Sequence, residues 1–529
     1  MDNQFSTPLS NEQTTRATYA GYDTVFAWCS LLFGYLLART LPVSLHALGG
    51  MLMTCALFVC GGIYLRLSGV RLQRRSVLFA SLMMVFSVGF LTGSNRGIHL
   101  LLLLFLLCAF LYWIYTSFDL NPHGVFGKNF FVHVIAAVFS VPKRSLKHVF
   151  CAMLICDRKG VGGKVSKTIL WILLGLCCAA LPTILIILLL SYDPQFTSLL
   201  EQIFSFRSLS DNWIELVVDI GLGVLFAMIL FGVLYACKQK SREEGEDVSD
   251  GAEKLHRLPR ALLCATVTPI LAVYVIFFIS QWEYYVSAFT GKLPETMTYA
   301  KYARNGFFQL CWVCAINAVM LLVFNLLIRR SEQKKDILRS VYTGLISVFT
   351  MVLIATALSK MLLYIDSFGL TRKRVYASWL ILMLAVFFAT VLIWQFVRRI
   401  PLCTVLAVTF VVFFAAIVLP NVDAMIAQYN VNAYLSGELE TVDVWLLSDC
   451  GVSAVPALND LKTSLESRES PSEEEQTCLK TTVAVLADIK ADLEKDDAGV
   501  WGWSFPKIRA KRLLEDMELP IDADKEIAE

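Results

Sequence analysis

Apolar residues run through this chain in blocks too long for the surface of a globular fold. A helix needs about 20 largely apolar residues to cross about 30 Å of hydrocarbon. Eleven runs qualify: 22–38, 45–64, 76–94, 98–116, 169–191, 215–236, 261–280, 306–328, 340–360, 376–396 and 402–420. The pattern therefore predicts an all-α protein, a polytopic transmembrane bundle of about 11 spans. Beyond residue 420 the long runs stop, and short apolar stretches alternate with acid-rich ones. That change predicts a small helical C-terminal domain outside the membrane. The expected organisation is a cytoplasmic segment 1–23, a bundle 24–420 and an acidic helical domain 421–529. The first run is short, but Asp2 and Glu12 precede it with only one cation, Arg16, and no small-residue cleavage site follows. It reads as a retained span, not a signal peptide.

Composition agrees with the pattern: 57% of the 529 residues are apolar and 17% are charged. Soluble domains run nearer 45–50% and about 25%. A disordered chain, a nucleic-acid binder and an ordinary soluble enzyme are excluded on this ground. Charge adds a direction. From Asn421 onward there are 23 acidic and 10 basic residues, a net of −13, whereas the preceding part carries a net of +15. Loops after the even-numbered spans hold 25 Lys and Arg, against nine after the odd-numbered ones. Because cations are retained on the cytoplasmic side, the N-terminus is expected inside and, after eleven spans, the acidic domain outside. Trp113 and Trp171 are expected at cytoplasmic boundaries, and Tyr192, Trp213, Trp282 and Tyr364 at outer ones.

Two inner loops differ from the rest. Residues 119–168 mix Phe130, Phe131, Phe139 and Phe150 with Lys143, Arg144, Lys147, Arg158 and Lys159. This fits either an amphipathic helix on anionic inner-leaflet lipids or a helix packed under the bundle. Residues 237–260 mix Lys238, Lys240 and Arg242 with several acids and read as a solvated, mobile loop. Span interiors hold few ionisable groups; Asp219 lies about one turn inside the sixth span and Lys360 closes the ninth. Asn317 would sit about 16 Å into its helix, where the simplest role for an amide is helix–helix glue worth about 0.6 kcal/mol. Dry span centres weigh against a proton pump or antiporter.

Polar residues gather instead in three outer loops, where the candidate cluster comprises Asp193, Glu283, Tyr299, Tyr302, Arg304, Lys360, Tyr364, Asp366, Gly369, Thr371 and Arg374. Gly369 suits a left-handed turn between two helices. These residues act either as a functional surface or as caps and glue that fix the loops to the tail. Leu293-Pro294 with Thr298-Tyr299-Ala300-Lys301-Tyr302-Ala303-Arg304-Asn305-Gly306-Phe307-Phe308 resembles a signature of an uncharacterised bacterial multipass membrane family of the domain-of-unknown-function type. So do Leu363-Tyr364 with Phe368-Gly369-Leu370-Thr371 and Arg374, Asp193 with Phe196, Tyr429-Asn430-Val431, Val455-Pro456-Ala457-Leu458, and Trp503 with Arg509-Ala510 and Leu513-Leu514. The sequence departs from that pattern at Lys301, where an acid is usual, and at Lys360, where arginine is usual. The resemblance implies a multipass protein of a bacterial plasma membrane and no particular reaction.

In the tail, Thr441 to Ser448, a turn at Cys450-Gly451 and Ala457 to Leu465 after Pro456 predict a helical hairpin. Ser470 to Glu475 predicts a capped, acid-rich start of a helix running to about Lys495. Trp501, Trp503 and Phe505 are expected to pack a last helix near 506–518 onto the rest. The hairpin suggests a protein-binding module. Cys450 and Cys478, the tail's two cysteines, are either a disulfide or two separate buried thiols. No metal-ligand spacing, phosphate loop or nucleophile elbow appears, and no cofactor is expected. Three classes remain: a membrane sensor, regulator or scaffold; a permease or channel component; and, last, a lipid-linked-sugar transferase, whose catalytic acid would have no place in an outer loop of residues 39–44.

Overall fold

The computed structural model describes residues 19–43, 47–121, 130–142, 146, 148–155, 212–242, 260–280, 307–327, 337–397, 399–495, 499–515 and 517. They contain helices and no strand. In chain order the helices are α1 (Gly21–Val43), α2 (Ala47–Leu67), α3 (Arg74–Phe86), α4 (Gly89–Thr92), α5 (Arg96–Ser117), α6 (Phe130–Ile135, continuing as a π turn over Ala136–Ser140) and α7 (His148–Ile155). There follow α8 (Asn212–Arg242), α9 (Arg260–Ser280), α10 (Phe307–Leu327), α11 (Ile337–Phe368), α12 (Arg372–Phe396) and α13 (Leu402–Val418). The last five are α14 (Val422–Leu435), α15 (Val444–Ser448), α16 (Val455–Glu466), α17 (Glu473–Glu494) and α18 (Phe505–Glu515). Among the described residues seven helices are long and apolar enough to cross a membrane, or eight if the bent pair α13–α14 is one span. The predicted run 169–191 lies outside the described residues; each of the other ten falls on a helix.

The chain forms two compact units. The first comprises residues 1–39 and 141–238, whose described part is α7 with most of α1 and α8. Helices α1 and α8 run antiparallel and touch backbone to backbone where Gly34 meets Gly223: a Cβ on Gly34 would lie 2.1 Å from the Gly223 carbonyl oxygen. Small residues at such a crossing let dispersion act over the full contact, which matters where lipid removes the hydrophobic drive for helix association. Val149, Phe150 and Ala152 of α7 are buried against Ala27, Met228, Phe231 and Tyr235.

The second unit comprises residues 40–140 and 239–529. Helices α9 to α12 share a core that includes Val267, Phe307, Cys314, Ile346, Leu353 and Phe388. Helices α2 to α5 pack through Phe58, Phe110 and Trp113, and Phe86 and Phe105 reach Phe414 of α13. Trp113, in the last turns of α5, is buried, its Nε1 donating to the Ser76 carbonyl at 2.9 Å. An indole N–H taken into the bundle requires an acceptor, and the neighbouring helix supplies it. Between α5 and α7, His133 and Ala137 are buried while Ile135 and Phe139 are exposed.

After α13 the axis turns by 62° into α14. Pro420 sits at that break; it lacks an N–H and so cannot continue the helical hydrogen-bond ladder. Helices α14 to α18 surround their own apolar core, in which Ala427, Leu447, Leu458, Leu461 and Leu486 are fully buried. Burial of each leucine contributes about 1.5–3 kcal/mol. The start of α17 is a capping box, Ser472 and Glu475 each accepting from the other's backbone N–H. Cys450 and Cys478 are both free thiols, so no disulfide joins them.

Candidate functional site

Four residues of the predicted cluster, Tyr364, Gly369, Thr371 and Arg374, meet the tail at the turn between α11 and α12. Helix α11 ends in a left-handed residue, Gly369 (φ +68°), whose N–H donates to the Ile365 carbonyl at 2.7 Å. Glycine is required twice over. It adopts the positive φ without strain, and a Cβ there would lie 2.3 Å from Oδ1 of Asn430. Asn430, on α14, is buried and binds the next residue reciprocally. Its Oδ1 accepts from the Leu370 N–H at 2.6 Å, and its Nδ2 donates to the Leu370 carbonyl at 2.8 Å. One amide side chain thus satisfies both the N–H and the C=O of Leu370, which lies between the two helices.

Thr371 then caps α12, its hydroxyl accepting from the Arg374 N–H at 3.3 Å. The Arg374 side chain folds back onto the end of α11. It donates to the carbonyls of Phe368 and Gly369, with its guanidinium 4.0 Å from the centre of the Tyr364 ring. A cation on the unpaired carbonyls of a helix C-terminus is favoured by the helix dipole, and the ring face adds a cation–π contact. Arg372 forms a two-pronged pair with Asp423 in the first turn of α14, at 2.7 and 3.0 Å. Asp423 is only 2% exposed.

Two further loops join the same place. Asn95 caps α5 through its Oδ1 and donates from Nδ2 to the Tyr376 hydroxyl at 3.0 Å. Asn421 caps α14 and donates to the Ser453 hydroxyl, which lies 2.8 Å from that of Ser94. Polar groups of this junction are thus spent on one another. The arrangement is a joint between the tail and the membrane helices.

Of the predicted cluster, Tyr364, Gly369, Thr371 and Arg374 come together here. Lys360 is buried on α11, one turn before Tyr364, and Asp366 is exposed. Asp193, Glu283, Tyr299, Tyr302 and Arg304 lie outside the described residues, as do Trp171, Tyr192 and Trp282. Arg372, Asp423, Asn430 and Asn95 were not expected as site residues. A signal existed for two of them: Asp423 falls in a first turn just after Pro420-Asn421, and Asn430 lies in the Tyr429-Asn430-Val431 motif.

The first unit has a polar set of its own. Lys238 was expected in a solvated loop but lies inside α8, almost wholly buried, with Nζ 2.8 and 2.6 Å from the two oxygens of Asp23. A buried carboxylate without a cation costs several kcal/mol, so Asp23, fully buried, needs the ammonium beside it. Tyr22 presents its ring 4.4 Å from the ammonium, Tyr19 stacks on Tyr235, and the Tyr19 hydroxyl is 2.8 Å from Nδ1 of His148. At the far end of the same helix pair Arg39 meets Asp219 at 3.4 Å. The two ion pairs are separated by 16 residues on α1, about 24 Å at 1.5 Å per residue, close to the thickness of a hydrocarbon core. At mid-depth in the second unit, Asn317 accepts from the Tyr274 hydroxyl at 2.7 Å and donates to that of Thr350 at 2.9 Å.

Long apolar helices whose polar groups pair internally or lie at helix ends define an integral, multi-pass membrane protein. More narrowly, a model of a domain of unknown function, DUF4153, matches residues 53–461, and the chain belongs to that family. No curated protein and no solved structure matches it.

Proposed function

We propose that this is a membrane sensor, regulator or scaffold, in which the tail and the α11–α12 turn act as one lever. The observation that carries this reading is the two-sided bond between Asn430 and Leu370, reinforced by the pair of half-buried Arg372 with buried Asp423. A tail so attached transmits a shift at its surface to the ends of two long helices. Mid-depth polar groups bonded to one another, as in the Tyr274–Asn317–Thr350 chain, give no support to a hydrophilic path and leave a permease or channel component as the alternative. In orientation, the N-terminus is cytoplasmic and the tail lies on the outer face of a bacterial plasma membrane, on the argument of loop cations. The antiparallel course of α1 and α8 fits odd and even spans running in opposite directions. A protein partner would engage the tail.

The test is Asn430→Ala in the host cell, with membrane abundance held equal. For a sensor or scaffold, the transcript and interaction profile of the variant should match that of a deletion strain. A profile indistinguishable from wild type, with solute flux in proteoliposomes retained, would favour the permease. A phosphatase fused after Glu529 should be active if the tail is outside.

A further inference from the structure

The aromatic residues that lead into α18 do not pack the tail core as their sequence suggests. Val500, Trp501, Trp503 and Phe505 are 74, 60, 45 and 53% exposed. Helix α18 buries the opposite face, through Pro506, Ala510 and Leu514. The turn over Gly499–Gly502 lies against α2, and α18 itself touches α4. The candidate span α2 begins at Ala47, and Gly50 in its first turn abuts Phe90 of α4. The exposed aromatics therefore sit beside the level at which membrane helices leave the hydrocarbon. Charge points the same way. The tail is strongly acidic as a whole, yet between Phe505 and Glu515 it carries four cations and one anion. Arg509 and Arg512 are exposed and follow Phe505 at helical spacing on its face.

We propose that the segment 499–512 is an interfacial anchor that seats the tail on the adjoining leaflet. Trp501, Trp503 and Phe505 enter the headgroup region, and Arg509 and Arg512 meet lipid phosphates. Tryptophan rings and cations are the residues that favour this depth, and a basic face selects anionic lipid. An acidic protein partner would satisfy the arginines but not the position beside α2. The anchor does not depend on which side of the membrane the tail occupies, nor on the lever described above.

The test uses the full chain in nanodiscs, with the photoreactive residue benzoylphenylalanine in place of Trp501 or, separately, of Trp445. Trp445 is similarly exposed, at 54%, on α15, which packs against α17. Irradiation should give lipid adducts at 501 well above those at 445. In discs of equimolar phosphatidylglycerol and phosphatidylcholine, R509E/R512E should lower the yield at 501 roughly tenfold. In case the substituted chains fold poorly, hydrogen exchange of the unmodified protein provides a second reading: amides 499–512 should exchange more slowly in the anionic discs than in phosphatidylcholine alone. Adducts at 501 no more abundant than at 445, adducts to a second copy of the chain, or exchange indifferent to lipid charge would overturn the anchor.

Discussion

Replacing Arg372 by methionine should loosen the tail where it meets the turn. The change leaves Asp423, at 2% exposure, as a buried carboxylate without its two-pronged partner. Breaking one side of such a pair costs about 3–5 kcal/mol, whereas replacing both sides by apolar residues is often neutral. Taking the lower figure, local opening at the junction would become on the order of a hundredfold more frequent. Cys450 is a suitable reporter. It is 3% exposed, and its thiol is pushed up to about 12, first by burial and then by the nearby Asp423. It should therefore react with maleimide only when the junction opens. Labelling of full-length protein in nanodiscs, resolved by peptide mass, should accelerate at Cys450 in R372M. Most of the closed behaviour should return in R372M/D423L. Unchanged labelling in R372M would refute the reasoning, as would a double variant no better protected than the single one.

Other expectations follow from the same contacts. Gly34→Ala forces α1 and α8 apart, since its methyl would meet backbone, and should destabilise the protein by about 1–3 kcal/mol; a thermal melt in lipid unchanged from wild type would contradict the close crossing. Asn317→Leu removes partners from Tyr274 and Thr350 and should cost about 0.6–1.7 kcal/mol, with the host phenotype preserved. Loss of phenotype at wild-type stability would make Asn317 a functional group instead of glue. Because burial raises the Cys450 thiol above its ordinary value of 9.0, the folded tail holds it neutral. That stabilisation is complete below about pH 9 and declines as pH rises from about 9 toward 12. Denaturation of Cys450→Ala should show a shallower decline over that window than wild type; parallel curves would exclude a contribution from this thiol.

Much of the architecture was legible because it depends on local composition. The runs that meet the bilayer need only length and apolarity, and the Ser472–Glu475 box and Pro456 act on their own helices. Gly369 was also legible, since a left-handed turn has few substitutes. Its contact with Asn430 was not, because the choice of that amide is made by two segments 60 residues apart packing together. Lys238 shows the same limit more sharply. Among acidic neighbours it resembles a solvated charge, and the approach of Asp23 and Tyr22 on another helix makes its burial tolerable. Trp501 departs from its expected packing for a related reason: composition indicates that an indole seeks an apolar place, while neighbouring elements decide whether that place is a core or the surface.

The claim that matters most is that tail and membrane helices form a single mechanical piece at Asn430. Hydrogen exchange on full-length protein in nanodiscs, wild type against Asn430→Ala, tests it most directly. The account predicts faster exchange on both sides of the lost bond, in residues 368–376 and in 422–435, with the α1–α8 pair unchanged. Faster exchange confined to the tail, with the α11–α12 turn as protected as before, would contradict it.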